Sequence, residues 1–285
     1  MLNPVVIAVP FFALMIAIET YFSVRNEAGY DRKDIWANIA LGFGSVGFGF
    51  IFSLFQVFFY EGIYQNLAPF QMPMNAWWAW TILLFADDFA YYWFHRISHE
   101  VRFFWNFHVV HHSSNQYNLS VAVRQSWFSG VAHWIFYIPL AFLGVPFWAF
   151  VTMHGFNLIY QFWIHTKVIK KFPAFIEYIF NTPSHHRVHH GVNNAYLDKN
   201  YAGIFIIWDR MFGSFVPETE EVRYGIIKPL SSYNWLWINT HGWAEMLEAM
   251  RAKKTFSGKL RCMFGAPAME FEENVLLNAG LNKEI

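Results

Sequence analysis

The stretch YYWFHRISHEVRFFWNFHVVHH, residues 91–112, contains five histidines at helical spacings. His95 and His99 are four residues apart, so they share one face of a helix. The other three follow the pattern i, i+3, i+4 and share a second face: His108, His111 and His112. Imidazole is a common ligand of zinc and iron, and two such faces can surround a metal ion. The stretch therefore predicts a helical metal site.

The same spacing returns in SHHRVHHG, residues 184–191, where three histidines repeat the HxxHH pattern and His185 stands beside them. His165, in QFWIHTK, is a further candidate ligand. The predicted ligands are therefore His95, His99, His108, His111, His112, His165, His185, His186, His189 and His190. Since structural zinc takes four ligands and catalytic zinc commonly three plus water, this number predicts two metal ions. The lone Cys262 excludes a cysteine site and an internal disulfide framework, which favours a reducing compartment.

Two acidic residues near the first histidines are candidate functional groups. Asp88 lies in an apolar run seven residues before His95, where a carboxylate is costly unless it faces the protein interior. It shares a helix face with His95 and is predicted to orient an imidazole by a hydrogen bond. Glu100 directly follows His99 and could do the same, with a surface ion pair to Arg96 as the alternative.

The composition is that of an integral membrane protein. Of the 285 residues, 55% are hydrophobic, 21% aromatic and only 14% charged. Abundant aromatic rings suit the two membrane–water interfaces. A formal net charge of zero gives no indication of nucleic-acid binding.

Four apolar runs follow one another along the chain: residues 4–23, 36–60, 76–94 and 131–160. About 20 helical residues cross a hydrocarbon core of about 30 Å. We interpret the first run as a span, because no basic residues precede it and Glu19 interrupts its end, unlike a cleavable signal peptide. The following loop carries three basic residues, whereas residues 61–75 contain none. The positive-inside rule therefore places that first loop, and His95 after the third run, in the cytoplasm.

The fourth run contains Pro139, Gly144 and Pro146 near its middle, so it could be one kinked span or a hairpin. A single span would place residues 185–190 on the opposite side of the membrane from the first histidines. A hairpin is therefore predicted, and it returns the chain to the cytoplasm at His165. The predicted fold is all-α, with four or five membrane helices, some of them short or re-entrant, and a cytoplasmic helical cap. Residues 1–165 and 166–285 are expected to form these two parts of one functional unit, with the site on the cytoplasmic face.

The histidine boxes and their surroundings resemble the fatty acid hydroxylase and sterol desaturase superfamily of membrane di-iron enzymes. The boxes are HRISH, HVVHH and HRVHH, and the flanks DDFAYYWFHRISHE and NTPSHHRVHHGVNNAYLDKNYAGIFIIWDRMFGSF most resemble its ether-lipid-cleaving branch. The resemblance covers residues 80–235. It implies two iron ions that zinc can replace on purification, activation of O2, and hydroxylation of a lipid carbon. It also implies that Glu100 matches a required acid, and that a tetrahydropterin supplies electrons.

Other functions fit the same histidines. A sterol or fatty acyl desaturase, or a carotenoid or fatty acid hydroxylase, of the same superfamily is the first alternative, because the ligands do not decide which C–H bond is presented. A metal transporter is the remote alternative. Transporters place their sites near the bilayer midplane, whereas the histidine boxes here lie at the ends of the predicted spans or beyond them. The sequence lacks the HPGG signature of a cytochrome b5 domain, so such an electron donor is expected to be a separate protein. The expected partners are a lipid substrate, membrane lipids and that donor.

Overall fold

The computed structural model describes residues 3–25 and 31–267, and every described regular element is a helix. The predicted all-α class is therefore confirmed over this part of the chain. Residues 26–30 of the first predicted loop, and residues 268–285 of the predicted cap, lie outside the described residues. The first four helices are α1 (Pro4–Arg25), α2 (Arg32–Asn66), α3 (Trp77–Glu100) and α4 (Arg102–His112).

The second half of the chain contains shorter helices separated by loops. A broken arm consists of α5 (Leu119–Ala122), α6 (Ser129–His133), a 3₁₀ helix (Trp134–Tyr137) and α7 (Ile138–Phe142), and α8 (Phe147–Trp163) follows it. The last elements are α9 (Ala174–Ile179), α10 (Pro183–His189), α11 (Ile207–Met211), α12 (Trp235–Ala252) and α13 (Phe256–Phe264). In the described ranges, strand-like pairing is limited to one isolated bridge between Gly191 and Tyr224.

Helices α1 and α2 contain the two stretches that are long and apolar enough to cross a membrane, 4–23 and 32–66. The 35 residues of α2 extend about 52 Å, more than a hydrocarbon core of about 30 Å, so this helix reaches beyond a bilayer. Its side chains Phe43, Phe50 and Phe58 are about 70% exposed on the isolated chain. Such a continuous apolar surface is unfavourable in water and suits lipid. The predicted total of four or five spans stays a prediction.

The run 131–160 folds as a helical hairpin, as predicted from its prolines and glycine. The turn contains Gly144 at φ 72°, and a Cβ there would lie 2.2 Å from the carbonyl oxygen of Phe70. The arms are antiparallel, since Tyr137 contacts Phe150 and the earlier His133 contacts the later His154, with ring centroids 5.0 and 5.6 Å apart. The hairpin packs on α3, where Asn157 donates hydrogen bonds to Asp87 and Asp88. Its second arm ends beside the last histidines, so the chain returns to the site.

The part of the chain after α8 closes over the ends of α3 and α4. Arg187 of α10 donates hydrogen bonds to the carbonyls of Thr166, Ile169 and Lys170 and forms an ion pair with Glu218. Helix α12 packs on α4 through aromatic contacts, as between Phe107 and Trp243 at 4.8 Å. These contacts hold the three histidine boxes in one place.

Candidate metal centre

Nine buried histidines assemble into two groups. The first histidine group consists of His95, His99, His108, His112 and His189, and the second of His111, His165, His186 and His190. Within each group the candidate ligand atoms all lie within 4.8 Å of one another. The groups are neighbours, since the rings of His112 and His190 are stacked at 4.3 Å. Two metal ions side by side would suit this arrangement.

Each HxxHH box contributes to both groups. On α4, His108 and His112 are one turn apart and face the first group, whereas His111 is rotated by about 100° and faces the second. The box around α10 is divided in the same way, because His189 belongs to the first group and His186 to the second. The sequence predicted a shared site but did not show this division, which depends on how the helices are rotated.

The nitrogen–nitrogen distances fit the geometry of a coordination shell. His95 Nε2 lies 2.9 Å from His108 Nε2, and His112 Nε2 lies 3.2 Å from the same atom. In the second group, His165 Nε2 lies 3.2 Å from His111 Nε2 and 2.9 Å from His186 Nε2. Two nitrogens bound at right angles to one metal, each about 2.1 Å away, are about 3.0 Å apart.

Three ring nitrogens at the centre have no hydrogen-bond partner in the part of the chain that the structure describes. The Nε2 atoms of His99, His189 and His190 are buried and accept or donate no hydrogen bond among the described residues. A buried polar atom without a partner costs free energy. One metal ion in the first group would satisfy His99 and His189, and a second ion in the other group would satisfy His190. The residues present therefore fit a histidine-bound metal.

Backbone carbonyls fix the orientation of four rings. The Nδ1 atom of His95 is 2.7 Å from the carbonyl of Tyr201, and that of His165 is 2.7 Å from Gln161. Two further Nδ1 contacts go to the carbonyls of Arg124, from His111 at 3.1 Å, and Lys199, from His189 at 3.0 Å. A carbonyl requires Nδ1 to carry the proton, so each Nε2 lone pair points into its group.

The site also favours neutral imidazoles. Burial lowers the pKa of His111 to about 4. Burial and neighbouring histidines together lower the pKa values of His189 and His190 well below the ordinary value of 6.5. These rings are therefore uncharged at neutral pH, and the neutral imidazole is the form that binds a metal.

The family of this region follows from its similarity to known proteins. A family model described as fatty acid hydroxylase matches residues 80–214, which contain all three histidine boxes. Residues 80–214 belong to the fatty acid hydroxylase family. The resemblance inferred from the sequence is thereby confirmed.

Individual relatives match a longer part of the chain than the family model does. Human alkylglycerol monooxygenase is 39% identical over 91% of this chain and 58% of its own length. The Xenopus tropicalis protein of that name is 44% identical over 74% of this chain and 47% of its own length. An ornithine lipid hydroxylase of Rhizobium tropici is 30% identical over 53% of this chain and 45% of its own length. The chain thus spans about half the length of these curated relatives. No solved structure gives a significant match.

Asp88 makes different contacts from those predicted. Its carboxylate accepts hydrogen bonds from the Ile204 and Phe205 amides at 2.7 and 3.0 Å and from the Trp208 indole at 2.9 Å. The predicted contact with an imidazole is wrong, because His95 uses Nδ1 for the Tyr201 carbonyl and Nε2 for His108. Asp88 acts on the centre indirectly, by fixing the segment that follows Tyr201.

A second buried acid, Asp209, fixes the same segment and was missed from the sequence. It accepts hydrogen bonds from the amides of Tyr201 and Ala202, both at 2.8 Å. Asp88 and Asp209 together anchor both ends of residues 201–208, and the Tyr201 carbonyl in that segment orients His95. The sequence spacing gave no signal for Asp209, because its partners are backbone amides.

Glu100 forms the surface ion pair that was the alternative interpretation. Its carboxylate lies 2.8 Å from Arg96 Nε, one turn earlier on α3, and its side chain is 44% exposed. It does not belong to either histidine group. A direct role for Glu100 stays a prediction.

His185 also stands outside both groups, although the sequence predicted it as a ligand. Its Nε2 atom is 2.9 Å from a carboxylate oxygen of Glu177. Glu177 also accepts hydrogen bonds from Ser184 and Thr182 at 2.7 and 2.8 Å. Burial raises the pKa of Glu177, but the hydrogen bonds from His185 and Ser184 outweigh it and lower this pKa to about 2. Glu177 and His185 thus hold α10 from outside the centre.

A cavity of about 160 Å³ reaches the first histidine group from the side of α12. Its lining includes four of the grouped histidines, His99, His112, His189 and His190. It also contains polar side chains, such as Arg102 and Glu245, and apolar ones, such as Val109 and Ile227. Trp105 lies against His99, with ring centroids 5.1 Å apart. No residue of the apolar hairpin lines this cavity among the described residues.

Proposed function

We propose that this chain is a membrane-bound di-iron oxygenase that inserts one oxygen atom from O2 into a lipid C–H bond. One observation carries the proposal: nine buried histidines form two adjacent groups, and three of their central nitrogens have no hydrogen-bond partner among the described residues. We assign these nine residues as ligands and His185 as a residue that supports α10. Zinc offers no redox chemistry, so an oxidising enzyme requires iron in this site.

Two iron ions bound there would supply O2 activation. The chain's own residues fix the tautomer and orientation of four imidazoles and bury the side chains of both groups. We further propose that Glu100, at the end of α3 beside His99, assists the reaction. Insertion of one oxygen atom releases the other as water and consumes two electrons and two protons, so a reductant must reach the centre.

We propose that α1, α2, α3 and the hairpin of α6–α8 cross or enter the membrane, with residues 1–165 forming the membrane part and residues 166–285 the cytoplasmic cap. The exposed apolar side chains of α1 and α2 support this arrangement. Lys167, Lys170 and Lys171 follow α8 where the chain would leave the membrane, which agrees with the positive-inside rule. The centre then lies on the cytoplasmic face, within reach of lipid from one side and of a polar reductant from the other.

For the substrate we propose an alkylglycerol ether lipid, with a tetrahydropterin as the electron donor. The support is the similarity to alkylglycerol monooxygenases over most of this chain. Hydroxylation of the carbon beside the ether oxygen gives a hemiacetal, which collapses to a fatty aldehyde and a free alcohol. The aldehyde therefore distinguishes this reaction from desaturation, which forms a double bond and leaves no oxygen in the lipid.

The test is incubation of membranes containing the protein with an alkylglycerol, ¹⁸O2 and a reduced pterin. Labelled fatty aldehyde is expected from the unaltered chain and from His133→Asn, a control outside both groups. His189→Ala should give none. An unlabelled, unsaturated lipid as the only product would contradict the proposed reaction.

A second candidate is hydroxylation of a different membrane lipid, favoured by the similarity to the ornithine lipid hydroxylase. In that case the same assay with an amino-acid-containing lipid should yield a stable labelled alcohol, and no aldehyde should form from the alkylglycerol. Lipid mass spectrometry on one membrane preparation separates the two outcomes.

A further inference from the structure

A second cavity, of about 310 Å³, lies at the end of α8 and is not part of the histidine centre. Its lining includes Lys167, Lys170 and Lys171 together with Arg187 and Tyr224. Lys167 Nζ sits 4.9 Å from the centre of the Tyr224 ring. Three lysines from one short segment thus converge on one concave surface.

Among the described residues, the positive charges that line this lysine cavity outnumber the negative ones, although Glu19 and Glu221 interact electrostatically with Lys167. Arg187 is neutralised by Glu218, with nitrogen–oxygen distances of 2.8 and 2.6 Å. Among the described residues, no carboxylate lies within ion-pair distance of the three lysines, and Glu221 is the other acid in the lining. A net positive charge therefore remains. A concave site with several ammonium groups suits a phosphate group.

The surroundings of the cavity indicate the source of that phosphate. Between and after the lysines, Val168, Phe175 and Tyr178 are each more than 60% exposed. Apolar and aromatic side chains beside lysines are typical of a segment that lies in the membrane–water interface. Basic pockets at the cytoplasmic side of membrane helices commonly bind anionic lipid headgroups. The lipid source rests on the membrane arrangement proposed above.

We propose that the lysine cavity binds the phosphate of an anionic phospholipid. The cavity is separated from the second histidine group by one layer of rings. Tyr224 stacks on Tyr117 at 4.7 Å, and Tyr117 lies 5.2 Å from His190. A bound lipid would therefore fix the membrane beside the centre and hold Tyr224 against that layer.

The test is lipid retention by the purified full chain, measured by native mass spectrometry with phosphatidylglycerol and phosphatidylcholine. The unaltered protein should prefer phosphatidylglycerol, and the triple variant Lys167→Gln, Lys170→Gln, Lys171→Gln should bind it roughly 100-fold more weakly, since each lysine contributes about fivefold. The variant Lys167→Arg, Lys170→Arg, Lys171→Arg should retain the preference. Equal charge removal at Lys253, Lys254 and Lys259, near α13, is the matched control and should change it little.

Unchanged lipid preference in the glutamine variant would overturn the proposal. Displacement of phosphatidylglycerol by equimolar inorganic phosphate would assign the site to free phosphate and overturn the lipid source. The melting temperature, measured on each variant, shows whether the fold is intact. The readout is lipid bound rather than product formed, so it does not depend on the proposed oxygenase activity.

Discussion

His111 and His112 are neighbours in the chain but belong to different histidine groups. Their side chains leave the helix about 100° apart, so one turn of α4 can supply ligands to two metal ions. His165 was predicted because the hairpin returns it to the side of the other histidines, and spacing predicted the other eight group members. It also predicted His185, which the structure places against Glu177, because spacing cannot show whether an imidazole faces the centre or a carboxylate on another element.

The lowered pKa of the buried histidines predicts a pH dependence of stability. An unfolded histidine titrates near 6.5, whereas His111 in the folded, metal-free protein has a pKa of about 4. Between these values the unfolded chain binds protons that the folded chain does not, so stability falls as pH drops below about 6.5. The melting temperature of metal-free protein should be lower at pH 5.5 than at pH 7.5.

The matched variant for this prediction is His111→Gln, which removes one of the titrating rings. The free energy of unfolding of this variant should depend less steeply on pH than that of the unaltered chain. The difference between the two slopes should be about 1.4 kcal/mol per pH unit between pH 4 and 6.5. A melting temperature that is constant, or that rises on acidification, would show that these histidines are not held neutral.

Glu100 offers a separate test at the residue scale. An exposed pair such as that with Arg96 is worth at most about 0.5 kcal/mol, so Glu100→Gln should leave the melting temperature almost unchanged. We expect turnover to fall at least about tenfold, because the proposed function gives this acid a part in the reaction. Arg96→Gln is the control; it removes the same ion pair together with the hydrogen bonds that Arg96 donates to Tyr92 and to the Phe212 carbonyl. Equal turnover in Glu100→Gln and the unaltered chain would show that Glu100 has no part in the reaction beyond its surface ion pair with Arg96.

At the scale of elements, the hairpin was predictable and the anchoring of the cap was not. Pro139, Gly144 and Pro146 mark a break, and the need for His165 to meet the other histidines requires the chain to turn back. The segment 201–208 has no comparable signal. Its position depends on backbone amides that donate to Asp88 and Asp209, and a sequence does not show which carboxylate an amide will meet.

This anchoring predicts that Asp88→Asn weakens both the fold and the first histidine group. The asparagine would point an NH2 group at an amide that also donates, so a buried hydrogen bond is lost and two donors face each other. A loss of roughly 2–4 kcal/mol is expected, together with reduced metal retention through the Tyr201 contact with His95. Thermal unfolding and metal analysis measure the two effects. Thr81→Val, on the exposed face of the same helix, should change neither.

Metal retention equal to that of the unaltered chain in Asp88→Asn would show that the segment 201–208 does not orient His95. A loss of stability alone would leave Asp88 with a purely structural role. The two measurements therefore separate support of the fold from support of the centre.

At the scale of the whole molecule, the proposed topology places both sets of ligands on the cytoplasmic side. The single-cysteine variants are made on a background in which Cys262 is replaced by serine. Asn115→Cys and Asn194→Cys should react with a membrane-impermeant thiol reagent only in permeabilised cells. Leu67→Cys, in the loop after α2, should react in intact cells. All three positions are exposed in the structure. Labelling of Asn194→Cys in intact cells would contradict the proposed topology.

The proposed function requires each of the two histidine groups to hold one iron ion. The most direct measurement is the iron content per chain of protein produced with ample iron, for the unaltered chain and for one variant of each group. We predict about two iron ions per chain for the unaltered protein and about one for both His99→Ala and His186→Ala, with His133→Asn unchanged at two. One iron ion or fewer per unaltered chain, or a full complement in His99→Ala and His186→Ala, would contradict the account.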